Sequence, residues 1–165
     1  MNKALVIIDL QKGFITKYTQ KLPAMIRNFI LRHKENYVLI IFTQYVNHLQ
    51  SNFVKNLNYS GFIKKEQNDF VEEIEEFTNK DNVFIKDTYG SFVNNKVLNI
   101  FKKYKIGEID LAGIDTENCV LTFARDAFDR GYKVNVLKDL CGSHSNPGLH
   151  RVALKIIENN IGTVR

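Results

Sequence analysis

Five short apolar runs alternate with stretches of helical periodicity, and this order constrains the fold more than any other feature of the chain. The runs are Lys3 to Ile8, Tyr37 to Phe42, Asn82 to Ile85, Ile109 to Ala112 and Tyr132 to Leu137. Each has the length of one strand and is rich in β-branched or aromatic residues at consecutive positions, the pattern of strands buried on both faces. Between them, Pro23 to Lys34 places Met25, Phe29, Ile30 and His33 at three- and four-residue steps. Val93 to Tyr104 does the same with Val97, Leu98, Ile100, Phe101 and Tyr104, and Thr116 to Arg130 with Val120, Phe123, Ala124, Ala127 and Phe128 ahead of a capping Gly131. A last helix is expected over Leu149 to Asn159. Strands joined by crossover helices predict a three-layer α/β/α sandwich around a mostly parallel sheet of five or six strands. The polar stretch from Thr43 to Glu66 reads as a long loop, or a loop with a short helix, of a length that often covers a substrate.

Composition narrows the function classes. With 165 residues, 44% hydrophobic and 25% charged, the chain has the makeup of one globular domain, 1–165, rather than a disordered or fibrous protein. No apolar run approaches the roughly 18 to 20 residues of a membrane span, and Asp9 interrupts the first one, so a cytoplasmic protein with no membrane partner is expected. The net charge of +5 is spread over much of the chain, without zinc-finger spacing, a basic region with heptads or an aromatic ribonucleoprotein motif, which argues against a nucleic-acid partner. Cys119 and Cys141 lie outside any CxxC motif and are expected as free thiols. The turn after the first strand reads Asp9-Leu10-Gln11-Lys12-Gly13 rather than GxGxxG, so no dinucleotide, and no cofactor of any kind, is expected.

In parallel sheets, ligands bind beyond the carboxyl ends of the strands. Three residues meet that test: Asp9, Lys86, and Cys119 in the segment after the fourth strand. Each has a plainer alternative. Asp9 would serve equally as a turn or cap, Lys86 as a solvated strand end, and Cys119 as a small buried hydrophobe. Together a carboxylate, an ammonium and a thiol supply a proton acceptor, a cation and a nucleophile. Cys119 falls in the first turn of the predicted helix, where unpaired amides and the helix dipole are expected to favour the thiolate.

The blocks ALVIIDLQKGF (4–14), FIKDTYGSF (84–92) and LAGIDTENCVLTFARDAFDRGYKVNVLKDLCGSH (111–144) resemble the isochorismatase-like cysteine hydrolases, which include nicotinamidases and N-carbamoylsarcosine amidase. The resemblance spans nearly the whole chain in the family's order and implies a Rossmann-like three-layer fold. It implies Cys119 as nucleophile, Asp9 as general base and later acid, and Lys86 as the cation that orients Asp9. It also implies a cis peptide at Ile114-Asp115 and an oxyanion hole formed by the backbone amides of Asp115 and Cys119. A small-molecule substrate and a homodimer or homotetramer follow from the same resemblance.

The sequence also departs from that family. Nicotinamidases carry a metal-binding Asp-x-His pair after the second strand, in a Thr-Gln-Asp-Trp-His context, plus a further His. This chain reads Thr43-Gln44-Tyr45-Val46-Asn47-His48, with Tyr45 and Asn47 in the two ligand positions, and no metal is expected. Isochorismatases cleave a vinyl ether and typically lack the cysteine, so its presence favours C–N hydrolysis; a nicotinamidase, an ether hydrolase and a silent binding module of the same fold remain as alternatives. Phe14, Tyr45 and Tyr89 are expected to contact substrate, with Phe53, Tyr59 and Phe62 as further aromatic wall candidates. Cys141 is placed just after the fifth strand as a structural thiol, His150 as a cap of the last helix or an interface residue, and His144 as an outside candidate for substrate contact.

Overall fold

A computed structural model describes residues 1–92 and 95–165 of the chain. The strands are β1 (Asn2–Ile8), β2 (Leu39–Tyr45), β3 (Val83–Lys86), β4 (Ile106–Ile114), β5 (Lys133–Gly142) and β6 (Thr163–Val164). They form one sheet in the order β3-β2-β1-β4-β5-β6, and every pairing is parallel. The sheet is the mostly parallel one expected, with β6 as a short additional edge.

The all-apolar run of β1 explains why the sheet is covered on both sides. Successive strand residues point to opposite faces, and accordingly Leu5 and Ile7 join one hydrophobic cluster while Ala4, Val6 and Ile8 join the other. The first cluster is closed by Leu22, Ile26 and Ile30 of α1 (Leu22–His33). Two short helices, α2 (Asn52–Leu57) and α3 (Lys65–Asn68), lie in the connection after β2, and Ile74 of α4 (Glu72–Glu75) completes that layer. The second cluster is closed by Val97 and Phe101 of α5 (Lys96–Lys103), Phe123, Ala124 and Ala127 of α6 (Leu121–Asp129), and Ile157 of α7 (Pro147–Asn160).

Several boundaries differ from the sequence pattern. In α1 the core residue is Ile26 rather than Met25, which is exposed, and Phe128 of α6 is exposed as well. The expected start of α5 at Val93 lies outside the described residues. Thr43, Gln44 and Tyr45 extend β2 instead of opening the loop. Strand β5 runs five residues past Leu137, so Cys141 lies inside it; exposed Lys138 and Asp139 mimic a strand end because the ladder with β4 shifts register there. The cap of α7 is Asn146, which accepts from the backbone amides of Gly148 and Leu149, whereas His150 pairs with Thr116 Oγ1 at 2.8 Å.

The chain proceeds from β1 outward to β3, then crosses back to lay β4 on the other side of β1. Connections leaving β1 and β4 therefore diverge, and the crevice between their carboxyl ends is where such sheets bind ligands. The backbone there is close-packed. Gly113 has a φ of +124°, and a side chain at that position would put its Cβ 2.1 Å from the Ile8 carbonyl oxygen, so glycine alone allows β1 and β4 to approach at this edge.

Candidate active site

Asp9 follows β1 directly in the left-handed region, at φ +50°, a conformation aspartate adopts more readily than most residues. Thr43, inside β2, holds it: Asp9 N–H donates to the Thr43 carbonyl at 3.2 Å, and Thr43 Oγ1 donates to Asp9 Oδ1 at 2.6 Å. Lys86 closes β3, two strands away, and its long side chain reaches over β2 so that Nζ lies 2.7 Å from Asp9 Oδ2. The same ammonium donates to Cys119 Sγ at 3.3 Å and to the Thr88 carbonyl at 3.0 Å. Tyr45 presents its ring to that ammonium, 5.5 Å from the ring centroid, an arrangement that favours positive charge.

Cys119 arrives from β4. The Ile114–Asp115 peptide is cis, and residues Thr116–Val120 form one wide π turn before α6 begins. Both Asn118 N–H and Val120 N–H donate to the Asp115 carbonyl, at 3.2 and 3.1 Å, fixing the turn that carries the thiol. The three residues chosen from sequence are thus brought together, and all are buried: Asp9 is 0%, Cys119 6% and Lys86 7% exposed.

Burial sets the charge states. For Lys86 desolvation opposes the ammonium, yet the Asp9 carboxylate and the Cys119 sulfur outweigh it and hold the pKa up to about 12. For Cys119 desolvation dominates and raises the thiol above its ordinary value, with Lys86 pulling down and Asp9 pushing up. The direction is opposite to the lowering expected from a helix N-terminus, because removing the thiol from water outweighs the pull of the Lys86 ammonium. A neutral thiol beside a carboxylate that is itself locked to an ammonium is a poised proton-transfer pair.

Cys119 opens onto a cavity of about 270 Å³. Phe14, Tyr45 and Tyr89, the three aromatics expected at the substrate, all line it, together with Phe53, Leu57 and Tyr59 from the long connection. Phe62 does not; it lies beneath, its ring centroid 4.1 Å from that of Phe14. Sequence reasoning missed Thr43, hidden at the end of an apolar run, and Asn118, which lines the cavity without any motif of its own to mark it.

The positions where nicotinamidases hold metal do other work. Tyr45 is an aromatic wall residue whose hydroxyl is buried without a hydrogen-bond partner among the described residues. Asn47 donates to the Tyr59 and Gly61 carbonyls at 3.0 and 2.9 Å and accepts from Ser51 Oγ, pinning the connection over the site. His48 is exposed and pairs with Asp87 at 3.0 Å. Among the described residues no three His, Cys, Asp or Glu side chains are grouped to hold a metal ion. This donor set does not fit a divalent metal.

The doubly wound parallel sheet thus carries a buried Cys, Asp and Lys together at its switch point. The isochorismatase domain matches residues 3–165, and the chain belongs to that family. An isochorismatase family protein of Bacillus subtilis, PncA, is 35% identical over 77 residues, a match covering 47% of this chain and 42% of that protein. Two solved structures share the fold: nicotinamidase PncA from Bacillus subtilis, with TM-score 0.84, 23% identity and 99% of each chain covered, and N-carbamoylsarcosine amidase from Thermoplasma acidophilum, with TM-score 0.84, 20% identity and 100% and 96% of the two chains covered.

Proposed function

We propose that this protein is a cysteine hydrolase that cleaves the C–N bond of a small amide or ureide through a thioester, without a metal. The observation that carries this reading is one ammonium, Lys86 Nζ, bonded at once to Asp9 and to Cys119 at the floor of a small cavity. Asp9 takes the Cys119 proton, and Sγ forms a bond to the carbonyl carbon. Lys86 remains an ammonium throughout, stabilising first the carboxylate and then the thiolate as negative charge moves between them. The backbone amides of Asp115 and Cys119 receive the negative charge on the former carbonyl oxygen. The tetrahedral species collapses as the C–N bond breaks and Asp9 returns its proton to the leaving nitrogen. Water then gives a proton to Asp9 and its oxygen to the acyl carbon, and release of the acid restores the Cys119 thiol.

The solved nicotinamidase and N-carbamoylsarcosine amidase of the same fold support an amide or ureide as the substrate. The test is ammonia release from a panel of small amides and ureides, nicotinamide included, by wild type and Cys119→Ala with chelator present. Release by the wild type alone is expected. Release by both proteins, or release abolished by the chelator, would overturn the proposal.

A further inference from the structure

One pair of side chains in the cavity, Asp115 with His144, has no part in the mechanism above. His144 Nδ1 lies 2.7 Å from Asp115 Oδ2, and the His144 N–H donates to Asp115 Oδ1 at 2.8 Å, so both oxygens of that carboxylate are engaged by one residue. Thr16 Oγ1 donates to the His144 carbonyl at 2.7 Å, and the ring meets Phe14 edge-on at 5.3 Å between centroids. The imidazole is thereby fixed in place while lining the same cavity as Cys119. A carboxylate only accepts, so Nδ1 carries a hydrogen. Nε2, across the ring from Asp115, has no partner among the described residues and is where the second proton comes and goes.

Among the described residues that line the cavity, His144 is the one side chain able to carry a positive charge. Its titratable neighbours just beyond β4 are Asp115 and, in the π turn, Glu117, and burial raises Glu117 toward its neutral form. The Cys119 thiol and the Tyr59 and Tyr89 phenols are all raised by burial and stay uncharged at neutral pH. Lys86 lies deeper and is committed to Asp9. Hydrogen bonding to Asp115 raises His144 against the opposing effect of burial.

We propose that His144, oriented by Asp115, determines specificity by donating from Nε2 to a carboxylate or comparable anionic acceptor on the substrate, which makes small planar amides bearing an acid group the preferred class. The aromatic walls supply the preference for a flat body, and a charge-assisted donor supplies the preference for the acid. The inference rests on the amide-hydrolase reading, and binding separates the two. Calorimetry on the Cys119→Ala protein compares 3-carbamoylbenzoate with benzamide at pH 6 and pH 9. The acid is expected to bind at least about tenfold more tightly at pH 6, with the gap collapsing by pH 9 and absent at pH 6 in the Cys119→Ala/His144→Gln protein. Equal affinities, binding of neither compound, or a preference that survives His144→Gln or ignores pH would overturn it. Should circular dichroism show that His144→Gln does not fold, the pH dependence in the single variant decides. A wild type that binds the acid as expected yet releases no ammonia would count against the hydrolase reading alone.

Discussion

Replacing Lys86 with methionine keeps the length and apolar volume of the side chain and removes its charge, leaving Asp9 at 0% exposure with Thr43 as its hydrogen-bond donor but no cation. A carboxylate stranded in this way takes up a proton. An ordinary aspartate releases its proton near pH 3.9, so keeping it protonated at pH 7 costs about 1.36 kcal/mol for each of about 3 pH units, or about 4 kcal/mol. That agrees with the ~3–5 kcal/mol lost when one partner of a buried ion pair is removed. At roughly 2–4 °C per kcal/mol for a chain of this size, the melting temperature should fall by about 8–16 °C at pH 7. The sign with pH follows from proton counts. Between about pH 4 and 7 the folded variant holds one proton more than its unfolded chain, so the deficit relative to wild type grows as pH rises and nearly vanishes near pH 4. Asp9→Asn/Lys86→Met removes both charges and should recover most of the loss, although neither variant should turn over substrate. Scanning calorimetry between pH 4.5 and pH 7 measures all of this. A Lys86→Met protein melting within about 2 °C of wild type at pH 7, or a deficit that does not shrink on acidification, would refute the reasoning.

Other outcomes follow from single contacts. Iodoacetamide at pH 7.5 should modify Cys119, which opens to the cavity, ahead of Cys141, which is packed against the Leu111 carbonyl at 3.7 Å; peptide mapping showing the reverse order would contradict the site geometry. Tyr45→Phe deletes a buried hydroxyl that has no partner among the described residues, whose burial costs on the order of 1–3 kcal/mol, so thermal melting should hold or rise rather than fall. Gly113→Ala forces a side chain against the Ile8 carbonyl and should destabilise the fold by about 3 kcal/mol or more, measured by urea titration of whatever folds.

The three central residues were legible because each is the polar end of an otherwise apolar strand or the thiol just beyond one, and parallel topology sends such ends to one edge. The exchange of Met25 for Ile26 in the core was not legible, since both fit a three- or four-residue step and which of them meets the core depends on how α1 packs against the sheet. The length of β5 was hidden by Lys138 and Asp139, whose polarity reflects a local register shift with β4 rather than a strand end. The charge state of Cys119 could not be read either: a helix N-terminus lowers a thiol pKa and burial raises it, and burial depends on the whole surrounding fold. The Asp115–His144 pair joins residues separated by α6 and β5, and nothing in the local pattern at either position announces the other.

The central claim is that Cys119 carries the acyl group while Asp9 and Lys86 manage the proton. Intact-mass analysis of acid-quenched protein during turnover of an active amide tests it most directly. The account predicts an adduct of the acyl mass, mapped to Cys119, sensitive to hydroxylamine and missing from Cys119→Ala and Asp9→Asn. Steady turnover by Cys119→Ala, or an adduct mapped to any other residue, would contradict it.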